Sequence, residues 1–480
     1  MPGLLGVLDS ASRSLNVTTR GIQTAGHNIA NADTAGYSRQ RQVVSPALPF
    51  PHPTGHIGNG VEAVTIERVT DPFLQRQMLR QGSLFGSADV QAQSLALVEE
   101  AFAGRDAGGL TGALGGFYDA FSDLSSAISS GAPVEREGVR SAAQALVHTL
   151  HGLDARLRAE QSAANDSINA VVQQINGLSH RIVALNDEIA SLELQAPAND
   201  SRDARDQLVR ELSELVDIDS FEQPDGRVVV ALSSGFPLLS GNKAHELSAE
   251  AFGAYPGNPT FVSVRTGEPS APVDLSDRIG GGRLGGLLRV RDSVLPSAIG
   301  TLDVLAFNLA ETVNRLHATG TGLDGTVGNF FAAPATLEGA AGAIELDAAI
   351  LNSPDAIAAG LTSAPSDNRV ALEIAALRTT PASLYLPGEA SGAPSGPSRT
   401  LLDQVSILVA DVGQQARVAE TARQQQGQIL DNLHSRRESI SGVSIDEEMT
   451  QLIELQAAFQ ANSRLIGLVD ELLQDVMEIL

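Results

Sequence analysis

The chain has 480 residues, 42% of them hydrophobic but only 4% aromatic, and it contains no tryptophan. Such a length suits roughly two to four domains, with aliphatic helix–helix cores favoured over β-sandwiches. A net charge of −25, with Lys243 as the only lysine, excludes a nucleic-acid partner, because phosphate neutralisation needs clustered lysine and arginine. The absence of cysteine excludes disulfides, thiolate-ligated zinc and a thiol nucleophile.

The first residues, MPGLLGVLDSASRS, carry no basic n-region, so no cleavable secretory signal is expected, and no segment reads as long enough to cross a bilayer. Leu8, Leu15, Ile22 and Ile29 recur every seven residues, with Leu4, Ala11, Thr18 and Ala25 as the companion series; this predicts an amphipathic helix with a coiled-coil seam. The stretch that follows, NIANADTAGYSRQR, gathers polar groups that suit a binding site, but each has a turn-forming reason to be there. Asn31 and Asp33 suit side-chain-to-backbone bonds that end a helix, Gly36 suits a positive φ, and Tyr37 can pack as the chain leaves the turn. The prediction is a joint.

Residues 42–70 read as an extended hairpin around a Pro/Gly loop, and Asp71-Pro72 marks a helix start. Helical spacing covers about 72–102, 113–130, 135–195 and 200–217. The period then changes: GRVVVALSSGFPLLSG predicts a β-hairpin, and Phe252 to Val273 predict further short strands. Helical pattern resumes from about Val290 to His317, residues 318–400 are mixed and loop-rich, and a Gln-rich helix is expected over about 401–440. Ser444 followed by Glu447 predicts a capping box for the last helix. Its seam is Leu452, Phe459, Ile466 and Leu473 with Leu455, Asn462, Val469 and Val476, widened by Leu465, Leu472 and Ile479. Asn462 is the polar seam residue that can fix register.

Neither terminal helix can bury its stripe alone, so the ends are expected to pack on each other, on neighbouring copies, or both. The predicted fold class is α+β and mainly helical. It is an elongated multidomain subunit with paired coiled-coil-like ends (1–34 with 441–480) and a helical bundle carrying the hairpin (35–217 with 286–440). A β-rich domain is inserted at 218–285.

Catalytic and cofactor signals are weak. His52/His56 are separated by proline and glycine, and His148/His151 have no third ligand nearby, so no metal site is expected. Gly280, Gly282 and Gly285 match GxGxxG with Asp303 downstream, but no βαβ alternation surrounds them, and they read as a flexible connection returning from the β domain. Glu99/Glu100 and Glu447/Glu448 are adjacent on helices, and read as solvated charge rather than carboxylates opposed across a cleft. The last helix carries acid on its polar face, which disfavours a membrane surface as its partner. No cofactor and no enzymatic activity are expected.

Two segments, SRSLNVTTRGIQTAGHNIANADTAGYSRQR and SGVSIDEEMTQLIELQAAFQANSRLIGLVDELLQDVMEIL, resemble the bacterial flagellar axial proteins, and within them the hook-associated protein 1 family of the hook–filament junction. GGRLGGLLRVRDSVLPSAIGTLDVLAFNLAETVNRLH and SDNRVALEIAALR resemble inner segments of that family, while Ala35 stands where the family often has proline. The resemblance implies a non-enzymatic structural protein, exported unfolded by the flagellar type III apparatus to an extracellular position on the flagellum. It implies self-association of the terminal helices into a tube, contact with the hook protein and the neighbouring junction protein, and an export chaperone on the C-terminal helix. Neither nucleic acid nor membrane is implied as a partner. The alternatives are the second junction protein or the hook subunit and, remotely, an assembly-linked peptidoglycan hydrolase.

Overall fold

The computed structural model describes residues 2–52, 55–103, 109–127, 131–251, 258, 260–267, 272–386 and 394–479. Helix α1 (Pro2–Ala30) leads through a turn to β1 (Gln40–Pro46), a short pair β2 (Phe50–His52) and β3 (Gly55–Ile57), and β4 (Val61–Arg68). Helices α2 (Pro72–Ala103), α3 (Gly109–Ser126), α4 (Pro133–Leu192) and α5 (Asn199–Leu215) follow. Strands β5 (Ile218–Glu222), β6 (Val228–Leu232), β7 (Pro237–Ser240), β8 (Lys243–Ala244), β9 (Leu247–Ala251), β10 (Val262–Thr266) and β11 (Val273–Asp274) come next. The chain returns through α6 (Gly282–Arg289), α7 (Leu295–His317) and the short α8 (Ala340–Ala343), α9 (Ala348–Asn352) and α10 (Arg369–Ala376). Strands β12 (Ala382–Ser383) and β13 (Ser398–Arg399) precede the long helices α11 (Leu401–Ser441) and α12 (Ile445–Ile479). The fold is α+β and mainly helical, as expected.

All strand pairs are antiparallel. β1 pairs with β4 through a bulge at Val43/Val44, β5 to β8 form one sheet in sequence order, and β9, β10 and β11 form another. Helix α4, about 90 Å long at ~1.5 Å per residue, is the beam on which the bundle is laid. Its inward row, including Val139, Leu146, Leu150, Leu157, Ile168, Ile175 and Ile182, is buried. Phe117 and Phe121 of α3 stack with Phe330 and Phe331, ring centroids 5.0–5.9 Å apart, and all four are sealed from solvent. His317 closes that cluster. Its Nδ1 lies 2.8 Å from the Gly328 carbonyl and its Nε2 lies 2.9 Å from the Ala358 backbone nitrogen, which together require the neutral ring with its proton on Nδ1.

Two expectations are corrected here. The glycine-rich run at 280–285 is not a flexible connection: helix begins at Gly282 and continues through a π-helical turn (Val290–Val294) into α7. A Cβ on Gly286 would sit 2.8 Å from the Ser87 carbonyl oxygen, so small residues are what let α6 press against α2. The Asp217 carboxylate already faces the backbone N–H groups of Gly280 and Gly281, where a phosphate would have to sit, and Asp303 accepts from the N–H groups of Gly339 and Ala341 at 2.9 Å. Contrary to the reading of segment lengths, the continuous helix Gly282–His317 is long and apolar enough to cross a bilayer; most of it is buried, as the core helix of the bundle.

Candidate functional site

Helices α1 and α12 lie antiparallel and meet at seven-residue steps. Asn28 Nδ2 donates to Glu448 at 3.0 Å, Gly21 abuts Leu455, and Asn462 Nδ2 donates to Ser14 Oγ at 2.7 Å. A Cβ on Gly21 would come within 3.0 Å of Leu455, so the missing side chain sets the close approach. On α12, Leu452, Leu455, Phe459, Asn462, Ile466, Leu473 and Val476 are half-buried and Val469 is fully buried, while the residues between them from Gln451 to Met477 are exposed. Leu465 and Leu472 differ from expectation: they flank the seam but are exposed, as are Ile453 and Leu468. The Ile479 side chain lies outside the described residues.

On α1 the centre of the contact is the small-residue series. Ala11, Thr18 and Ala25 are buried, flanked on one side by Ser14, Gly21 and Asn28. Leu8, Leu15, Ile22 and Ile29 form the other flank and stay half-covered. Small residues at the centre bring the two helices close, and the large aliphatic side chains then straddle the contact with part of their surface in solvent.

The turn after α1 is tied to several elements at once. Asn31 Nδ2 donates to the His27 carbonyl at 3.0 Å, and Gly36 takes φ 86°, with its α-carbon facing Gln207 of α5 so closely that a Cβ would lie 2.8 Å from Oε1. Arg437 of α11 donates to the Gly36 and Tyr37 carbonyls at 2.5 and 3.2 Å, the Ser38 N–H donates to Asp203 of α5 at 2.8 Å, and the Arg39 N–H donates to the Ser441 carbonyl at 2.7 Å. Asp33 departs from its expected capping role: it is exposed and makes no hydrogen bond among the described residues.

Asn28 is the hub of this turn. Its Oδ1 accepts from the Gln40 N–H at 3.0 Å and from Tyr37 Oη at 2.8 Å, while its Nδ2 reaches the Gln40 carbonyl and Glu448. Burial, then the charges of Asp200, Asp203 and Glu448, push the Tyr37 phenol above its ordinary pKa, which keeps it a donor. Glu448, expected as solvated charge, is instead 1% exposed and also accepts from Arg39 Nε at 2.7 Å. Glu447 receives Arg39 Nη1 at 3.1 Å, and its own N–H reaches Ser444 Oγ at 3.5 Å; the capping-box carboxylate is therefore turned to Arg39 instead of back to Ser444. Beneath the turn, Arg68 holds Asp203 and Asp206 at 2.8 and 2.9 Å. Burial raises the Asp203 pKa against the pull of Arg68; burial also opposes the Arg68 charge, but Asp206 and Asp203 outweigh it and raise its pKa.

Asn28 and Glu448 are thus the residues that the seam reading missed. Both lie on heptad series that could have flagged them, Glu448 one step before Leu455 and Asn28 one step after Gly21. Among the described residues no cluster of acids and histidines suits a metal ion.

Comparison with known proteins agrees with this architecture. Residues 95–331 match the family model of the flagellar hook-associated protein FlgK helical domain, and residues 435–479 match that of the flagellar basal body rod FlgEFG protein C-terminal region. Flagellar hook-associated protein 1 of Bacillus subtilis is 28% identical, over 98% of this chain and 97% of that protein. The protein of the same name from Escherichia coli is 25% identical, over 96% of this chain and 97% of its own length. The solved structure of the flagellar hook junction protein FlgK from Burkholderia pseudomallei superposes with a TM-score of 0.65 at 16% identity, covering 76% of this chain and all of that one.

Proposed function

Because the chain belongs to the flagellar hook-associated protein 1 family and is a structural component of the bacterial flagellum, we propose that it builds the hook–filament junction by packing its paired terminal helices against those of neighbouring copies to form a tube. The observation that carries this reading is the second apolar face of α12. Ile453, Leu465, Leu468 and Leu472 are exposed and left uncovered by α1, and the half-covered Leu8, Leu15, Ile22 and Ile29 flank extends the apolar surface onto α1. A helix pair with apolar surface left on both members is complete only when another helix covers it.

The same face requires cover before assembly, which supports an export chaperone on the C-terminal helix. The hook protein and the neighbouring junction protein are the axial contacts. The role is non-enzymatic: the buried carboxylates Glu448, Asp203 and Asp303 are each engaged by an arginine, an amide or backbone N–H groups that hold elements together.

Complementation tests the reading. In a strain lacking its own junction protein, this chain is expected to restore attached filaments, and Ile466→Asp with Leu473→Asp is expected to abolish them while the bundle stays folded by circular dichroism. Normal filaments from the double variant would defeat it.

A further inference from the structure

The root of the helix pair contains a pocket of about 240 Å³, walled by Gly21, Thr24, Ala25 and Asn28 of α1, Arg39 and the first residues of β1 (40–42), Val69, and Glu448 and Gln451 of α12. The oxygens of Glu448 and Asn28 are already engaged. One Glu448 oxygen takes Arg39 Nε and the other takes Asn28 Nδ2, and Asn28 Oδ1 takes Gln40 and Tyr37. The pocket's donors are in surplus. Among the described residues Gln42 Nε2 is buried without a hydrogen-bond partner, and Arg41, exposed at the rim, makes no ion pair. Such a buried, unanswered N–H costs free energy until an acceptor arrives, and a nearby guanidinium favours one that is charged.

The opposite end of the same helix pair holds the complement. Asp470, Glu471 and Asp475 of α12 are exposed, and Arg464 is the only basic residue of that helix. A donor pocket at one end of the helix pair and, at the other end, carboxylates with no partner among the described residues form the two halves of a head-to-tail contact, the kind that propagates from copy to copy. We propose that the pocket receives a carboxylate side chain from the last turns of a second copy's α12. Subunits of net charge −25 repel one another at long range, so a donor-rich socket also decides where an acidic end can settle. The proposal rests on the reading that copies meet through their terminal helices.

The chain lacks cysteine, so introduced pairs report without background. Full-length Gln42→Cys combined in turn with Asp470→Cys, Glu471→Cys or Asp475→Cys is assembled on hooks and oxidised. At least one pair is expected to give dimers between copies, only after assembly. Normal junctions in which no pair cross-links would overturn the proposal. Independently, Arg41→Glu is expected to lower the number of assembled copies about tenfold, with recovery when the cross-linking acid is replaced by arginine. A Ser14→Cys/Asn462→Cys bridge within one copy reports that the helix pair of the Arg41→Glu chain is intact. Wild-type assembly by Arg41→Glu, or loss that no acid reversal restores while that bridge still closes, counts against the socket. Normal assembly by Ile466→Asp with Leu473→Asp would instead bring down the reading beneath it.

Discussion

In the bundle, Phe117, Phe121, Phe330 and Phe331 are shut away from water on every side, whereas along the α12 seam only Val469 is fully buried and its neighbours at seven-residue spacing remain half-open. Both regions are built from helices with apolar stripes. The bundle closes its stripes with its own chain, using α4 as a beam and α7 as a core. The terminal pair has one partner where its two apolar faces call for more. The difference separates residues that make the subunit stable from residues that make it join: the first are saturated, the second are left unsatisfied in the single copy and are held in register by polar groups such as Asn28, Glu448, Ser14 and Asn462.

That contrast can be broken by mutation, beginning with the bundle. Phe330→Ala removes the ring at the centre of the aromatic cluster and is expected to cost about 3–5 kcal/mol, read as a loss of global stability in denaturant. A cost under about 1 kcal/mol would mean that the cluster is not the structural centre. Glu448→Leu strips Arg39 and Asn28 of their shared acceptor and is expected to cost about 1–3 kcal/mol. The loss should appear as faster hydrogen exchange in α1 and α12, with exchange in α4 and α7 unchanged. Equal acceleration in both regions would erase the distinction between them.

A pH series sharpens the comparison further. Burial, the largest influence, lowers the His317 pKa below 6.5, with Arg136 adding to it and the Gly328 carbonyl and Asp347 opposing. The unfolded chain therefore takes up the proton first as pH falls, so this part of the stability is complete above about 6.5 and is lost below it. The bundle transition of the wild type is expected to fall more steeply between pH 7 and 5.5 than that of His317→Gln, by calorimetry; parallel slopes would contradict the neutral, buried ring. The smallest effect belongs to Leu468→Ser, expected to change subunit stability by less than about 0.5 kcal/mol while reducing assembly.

Much of this was legible in the sequence, and the lapses have physical causes. The long helices announced themselves because aliphatic spacing decides where a helix can be buried. The position of the joint followed from Gly36 and the polar residues around it. Glu448 was misread because three acids in a first helical turn suit the helix dipole in solvent as well as they suit a buried bridge, and only the fold brings Arg39 and Asn28 to it. Helix α6 was misread because glycine normally breaks helices; here it permits α6 to lie against α2, a fact about the neighbour that no local pattern carries. The α1 contact face was centred on large aliphatic residues in the sequence, whereas close packing centred it on Ala11, Thr18 and Ala25.

The most direct measurement is a cryo-EM map of the hook–filament junction assembled from this chain. The account predicts α1 and α12 on the inner wall, with Ile453, Leu465, Leu468 and Leu472 covered by the helices of adjacent copies. A junction in which those side chains face the open channel or solvent, with copies joined only through the bundle or the β-rich segment, would contradict it.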